Sequence, residues 1–96
     1  MATELILLRE YCTRCEVDPT FVQVLEDEDM IEVTLISGER YISEDQLDML
    51  SRFVNWHYDL DINVEGIDAM RHLMEKMQRM QERIYELEAK LQIGRF

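Results

Sequence analysis

The sequence predicts a mostly α-helical domain with a small β-hairpin and a long C-terminal helix of the coiled-coil type. Three observations favour this fold class. The 96 residues include only 3 Gly and 1 Pro, which argues for continuous helices. A β-branched run at residues 31–36 precedes a Ser-Gly turn signal at residues 37–38. From Met70 onward, apolar residues recur at alternating spacings of 3 and 4.

The N-terminal segment is predicted to start extended and then to form a short helix. Residues 4–8, ELILL, are β-prone, and residues 8–15, LREYCTRC, place apolar side chains at helical spacing. Cys12 and Cys15 share this apolar face. A single C-x-x-C without a second pair is a weak metal signal, so we interpret both as small, reduced core residues. Without a Gly-rich phosphate loop or a nucleophile motif, neither enzymatic activity, a metal nor a cofactor is predicted.

A second short helix is predicted from Pro19 to about Glu28. Asp18 is a candidate N-cap, and Pro19 fits the first helical position because its missing N–H costs nothing there. The helix ends in the acidic run Glu26–Asp29, and Glu32 follows shortly after. Acids at a helix C-terminus oppose the macrodipole by about 0.3–1 kcal/mol each. Two interpretations of the run stay open, a solvated surface and a binding surface.

The hairpin strands are predicted at residues 31–36 and 40–42. Ser43 is predicted to cap a third helix that extends to about Tyr58, with Gln46 completing a capping box. This helix carries two apolar stripes, so it has two surfaces to bury, one against its own core and one against a protomer or partner. The stripes are Leu47, Leu50, Val54 and Tyr58, and Met49, Phe53, Trp56 and Leu60.

A last helix is predicted from about Val64 to Leu91, with Asn63 as its cap. A helix of this length extends about 42 Å, so we expect it to form a homodimer through an apolar seam, in an orientation that the sequence leaves open. The seam comprises Met70, Leu73, Met77, Met80, Ile84, Leu87 and Leu91. The chain is therefore divided into a body, residues 1–68, and a helical dimerisation tail, residues 69–96.

Charge is distributed unevenly along the chain. Residues 1–69 hold 17 acidic and 4 basic residues, a net charge of −13, whereas residues 70–96 carry +2. Nucleic acid and anionic lipid repel an acidic body, so DNA binding is not expected and a basic protein partner is. The sequence has neither an apolar run of about 18 residues nor a signal peptide, so we expect a cytoplasmic protein and no membrane association.

Three segments resemble MerR-type regulators, which have a winged helix-turn-helix fold. GERYISEDQL at residues 38–47 resembles their joint between wing and helix. VDPTFVQVLEDEDMI at residues 17–31 resembles their recognition-helix segment, and LDINVEGI at residues 60–67 resembles a later joint. The resemblance implies a MerR-like winged helix-turn-helix body in which the hairpin is the wing.

The departures from that pattern concern charge and turns. Gln23 stands where those regulators carry an arginine that grips DNA, and Asp27 replaces a second basic residue. Glu16 and Asp29 stand where the family has turn glycines. The resemblance therefore implies a DNA-reading fold that has lost its positive side chains.

The chain also resembles a narrower family of short, acidic MerR-like proteins, the chaperone modulators (CbpM-like). The similarity covers about residues 4–77 and includes RYISEDQL and HYDLDINVEGIDAM. It implies a non-enzymatic inhibitor that binds the J-domain of a DnaJ-like co-chaperone. J-domains present a basic face to Hsp70, so an acidic ligand bound to that face would block the interaction of the co-chaperone with Hsp70.

Acidic side chains are expected to supply the electrostatic contacts to the J-domain, while apolar anchors supply much of the affinity. The expected contacts are Glu26, Asp27, Glu28, Asp29, Glu32, Asp59 and Asp61. Two alternatives remain. A MerR-like DNA-binding transcriptional regulator needs basic residues on the second helix or the wing, and a structural or adaptor dimer uses its acidity for solubility alone.

Overall fold

The computed structural model describes residues 4–93 and confirms the mostly α fold with a small sheet and a long C-terminal helix. The chain divides into two compact units, the first extending to Val64 and the second beginning at Glu65. The elements are β1 (Leu5–Leu7), α1 (Leu8–Arg14), α2 (Pro19–Asp27), β2 (Thr34–Ile36), β3 (Glu39–Ser43), a 3₁₀ turn (Glu44–Gln46), α3 (Leu47–Asp59) and α4 (Val64–Ile93).

The first unit contains a three-stranded antiparallel sheet with the strand order β1-β3-β2. The hairpin β2–β3, here called the wing, closes through Ser37 and Gly38, whose φ angles are 51° and 79°. Positive φ at both loop residues matches the twist of the flanking strands. The segment predicted only as β-prone forms β1, which pairs Ile6 with Ile42 of β3.

The first wing strand is shorter than predicted. It begins at Thr34, whereas Ile31 lies in the turn after α2 and buries its side chain there. The apolar character of Ile31 therefore reflects core packing rather than strand pairing.

The predicted capping box at the third helix is wrong. Ser43 makes no side-chain hydrogen bond to the N–H groups of the 3₁₀ turn, and its hydroxyl donates to Asp45 instead. The Gln46 side chain binds the backbone of Glu32, accepting from its N–H at 2.8 Å and donating to its carbonyl oxygen at 3.2 Å. The Gln46 amide also donates to the Ser43 hydroxyl at 3.1 Å, so the two residues meet through their side chains and not through the backbone N–H groups that a capping box requires.

The core of the first unit collects apolar side chains from every helix of that unit. The buried face of α3 consists of Leu50, Phe53 and Val54, which come from both predicted stripes, while Met49 and Leu60 are exposed. The buried residues of the unit are Leu8, Cys12, Val17, Phe21, Val22, Leu25, Met30, Ile31, Ile42, Leu50, Phe53 and Val54.

Cys15 corrects the expectation that both thiols lie in the core. Cys12 is buried, but α1 ends at Arg14, and Cys15 at the C-cap is exposed. The apolar face that both were assigned to stops with the helix.

Both α1 and α2 end in a left-handed residue that is acidic rather than glycine. Glu16 has φ 54° and Asp29 has φ 58°. After α2, the N–H of Asp29 donates to the carbonyl of Glu26 at 3.0 Å, and that of Met30 donates to Leu25 at 2.9 Å. These two bonds form a Schellman motif, whose left-handed position usually holds glycine because a Cβ is strained there.

Replacing Asp29 by Gly is expected to raise the free energy of unfolding by about 0.5–1 kcal/mol, because strain at the left-handed position is relieved. Urea unfolding monitored by circular dichroism measures the change. The control Asp29→Ala removes the same charge but keeps a Cβ. An equal gain from both variants contradicts the backbone explanation and assigns the effect to charge.

Candidate partner-binding surface

The N-terminal cap and the core contacts of α2 fix its orientation. The Asp18 carboxylate accepts the Thr20 N–H at 2.9 Å, and Pro19 occupies the first helical position, as predicted. Phe21, Val22 and Leu25 are also buried as predicted. The opposite face of α2, together with its C-terminal end, is therefore directed to solvent.

Three consecutive carboxylates lie exposed where α2 ends. They belong to Asp27, the last helical residue, Glu28, the C-cap, and Asp29, the left-handed residue. The helix itself contains no Lys or Arg. The partial negative charge of the helix C-terminus therefore adds to the field of these carboxylates.

Glu26 differs from its neighbours because it is half-buried and ion-paired with Arg40 of the wing. Gln23 connects it to the exposed acids, since the Gln23 amide donates to Glu26 at 3.2 Å and to Asp27 at 2.9 Å. Gln23 stands where the MerR-type regulators that the sequence resembles carry a DNA-binding arginine. In this chain the residue is neutral and donates hydrogen bonds to two carboxylates.

Glu32 extends the exposed carboxylates toward the third helix. It lies three residues after Asp29, within about 11 Å by chain length, and its backbone is held by Gln46. The carboxylates Asp27, Glu28, Asp29 and Glu32 are called the acidic surface below.

Glu44, Asp45 and Asp48 are further exposed acids at the start of the third helix, close to Gln46. Acids at a helix N-terminus stabilise the helix, so the sequence alone did not place them in the candidate site. The bonds between Gln46 and the Glu32 backbone, which no sequence pattern indicates, bring these acids toward the acidic surface.

Asp59 and Asp61 form a separate exposed patch at the end of α3. The neighbouring Tyr58 hydroxyl accepts the Asp18 N–H at 2.9 Å, so this end of α3 is attached to the beginning of α2. Since α2 has nine residues, its two ends lie about 13 Å apart. The structure therefore brings five of the seven predicted carboxylates together around the end of α2 and leaves these two elsewhere.

Replacing Tyr58 by Phe is expected to lower the free energy of unfolding by about 0.5–1 kcal/mol, because the Asp18 N–H loses its acceptor at a site that water reaches. Urea unfolding measures the loss. The matched control is Tyr85→Phe on α4, where the structure of residues 4–93 gives the hydroxyl no partner. Equal stability of the two variants contradicts a structural role for the Tyr58 hydroxyl.

Two basic side chains near the wing are neutralised by neighbouring acids. Arg40 pairs with Glu26, and Arg9 pairs with Glu39 at 3.3 Å. The wing and α2 therefore present no positive surface of the kind that phosphate contacts require.

A cleft of about 510 Å³ lies between α1, the turn into α2 and the wing. Burial raises the pKa of the Cys12 thiol at its floor, although the Arg40 guanidinium acts in the opposite direction. A neutral thiol is a poor nucleophile and a poor metal ligand. Among the described residues, no group of three His, Cys, Asp or Glu is arranged to hold a metal ion.

The second unit begins at Glu65, one residue into the 30-residue helix α4, and the seam side chains of this helix are largely exposed. Exposed apolar side chains occur along the whole seam, from Leu73, which is 58% exposed, to Leu91, which is 65% exposed. Met70, at the start of the seam, is half-buried. None of the helices in residues 4–93 combines the length and the hydropathy that a membrane-spanning segment needs.

A comparison with protein families gives one match that covers most of the chain. The model described as MerR HTH family regulatory protein matches residues 6–89. Searches of curated proteins and of solved structures return no match. The matched range includes the wing, the acidic surface and most of α4.

Proposed function

We propose a protein-binding role for this chain, which belongs to the MerR helix-turn-helix family of regulatory proteins. The proposed partner is the J-domain of a DnaJ-like co-chaperone in the cytoplasm. The proposed effect is non-enzymatic inhibition of co-chaperone activity, as the resemblance to the chaperone modulators (CbpM-like) implies.

The observation that carries this proposal is the acidic surface at the end of α2. A recognition helix that reads DNA needs cations for phosphate, but α2 has none and its end carries exposed carboxylates. A cluster of this kind attracts a basic protein face, such as the face that a J-domain presents to Hsp70. Complementary charge mainly accelerates encounter and selects the partner.

A DNA-binding role is the first alternative, since the family contains regulators with a helix-turn-helix. It is disfavoured because Arg9 and Arg40 are occupied by Glu39 and Glu26. A structural or adaptor dimer is the second alternative, in which the acidity serves solubility. It predicts that the acidic surface has no partner.

We further propose that α4 forms a homodimer. Its exposed apolar side chains recur at the spacings of a coiled-coil seam, and a second copy would bury them. A dimer would present two acidic surfaces to its partners.

The functional proposal is tested by the ATPase activity of Hsp70 stimulated by a DnaJ-like co-chaperone from the same source. Addition of the chain is expected to return the rate to the unstimulated level, with half of the effect at a concentration that rises with salt. Hsp70 without co-chaperone is the control, and its rate is expected not to change. Undiminished stimulation at saturating chain concentration contradicts the proposal.

A further inference from the structure

The cleft beside the wing has an apolar floor inside an acidic body. This floor is formed by Leu8 and Cys12 of α1 together with Val17 and Val22 from the turn into α2 and from α2 itself. Its volume of about 510 Å³ lies within the range of roughly 300–1,000 Å³ that is typical of ligand sites. In protein interfaces, such concave apolar sites receive the side chains that contribute most of the binding energy.

The ion pairs at the rim of the cleft cancel and leave the rim with a net negative charge. Arg9 is paired with Glu39 and Arg40 with Glu26. Glu16, also at the rim, is exposed and has no ion-pair or hydrogen-bond partner in the described part of the chain. The uncompensated charge at the rim is therefore a carboxylate, which favours a segment that carries basic residues.

The cleft is linked to the acidic surface through a chain of side-chain contacts. Arg40 lines the cleft and is bound to Glu26, and Gln23 joins Glu26 to Asp27 of the acidic surface. Because Glu26 neutralises Arg40, the cation on this path, a ligand whose basic side chains lie on the acidic surface can also reach the cleft.

We propose that the cleft receives an apolar side chain of the J-domain, aliphatic or aromatic, from a segment that also carries lysine or arginine. This inference rests on the proposed function and adds the apolar anchor that charge alone does not supply. The acidic surface accelerates association, and the cleft retains the bound partner.

The test compares two tryptophan substitutions by calorimetric titration with the J-domain. Thr13 is an exposed residue that lines the cleft, and Thr20 is an exposed residue of α2 outside it. Thr13→Trp is expected to fill the cleft and to raise the Kd at least tenfold, with the salt dependence unchanged. Thr20→Trp is expected to leave the Kd within twofold of the wild-type value.

The outcomes separate this inference from the proposed function. If the wild-type chain binds and Thr13→Trp binds as tightly, the cleft is not the anchor site, whereas the proposed function stands. If the wild-type chain does not bind the J-domain, both the proposed function and the proposed occupant of the cleft are refuted.

A second measurement does not depend on the folding of a variant. In the complex with isotope-labelled chain, methyl groups of Leu8 and Val22 are expected to show nuclear Overhauser effects to one side chain of the J-domain. A saturated complex without any such effect overturns the inference, because an anchor in the cleft lies against these methyl groups.

Discussion

Replacing Asp27, Glu28 and Glu32 together by lysine is expected to slow association with the J-domain at least tenfold at low salt and to flatten its salt dependence. These side chains are exposed, and attraction between opposite charges raises association rates by about 10 to 1,000-fold. Glu26 is left unchanged because its loss would release Arg40 and disturb the wing. Stopped-flow fluorescence at two salt concentrations measures the association rate.

A matched variant separates local from overall charge. Replacing Glu75, Glu82 and Glu86 by lysine makes the same change in net charge on the exposed surface of α4. Its association rate is expected to stay within threefold of the wild-type rate. Equal slowing by both variants contradicts a localised contact and assigns the effect to net charge.

Replacing Ile84 by Asp is expected to raise the dissociation constant of the proposed homodimer at least a hundredfold. Ile84 occupies the middle of the seam of α4. In a dimer, the change places two carboxylates in an apolar interface, and each such charge costs several kcal/mol when it is unpaired. Sedimentation equilibrium over a range of chain concentrations measures the constant.

Tyr85→Asp is the control, since Tyr85 is the next residue and lies outside the seam with 62% of its surface exposed. It is expected to leave the dimer intact. A wild-type chain that sediments as a monomer, or an Ile84→Asp dimer as tight as the wild type, refutes dimerisation through the seam.

Features that depend on neighbours in sequence could be predicted. The cap Asp18 and the first-turn Pro19 determine where α2 begins, because both act within one helical turn. The buried face of α2 and the length of α4 follow from helical periodicity. The two-residue turn at Ser37 and Gly38 is likewise a local signal.

Features that depend on distant residues could not be predicted. The bonds between Gln46 and Glu32 span 14 residues and replace a local capping box. The ion pair between Arg40 and Glu26 removes one predicted contact from the freely exposed set, and only the folded chain brings the two together. The attachment of Tyr58 to Asp18 likewise separates Asp59 and Asp61 from the other acids.

The role of the acidic surface is tested most directly by calorimetric titration of the chain with the isolated J-domain of a DnaJ-like co-chaperone at two salt concentrations. We expect saturable binding that weakens as salt rises, because complementary charges are screened. Absence of binding heat at both salt concentrations and at two temperatures contradicts the proposed function. Saturable binding that is independent of salt contradicts the role of the acidic surface.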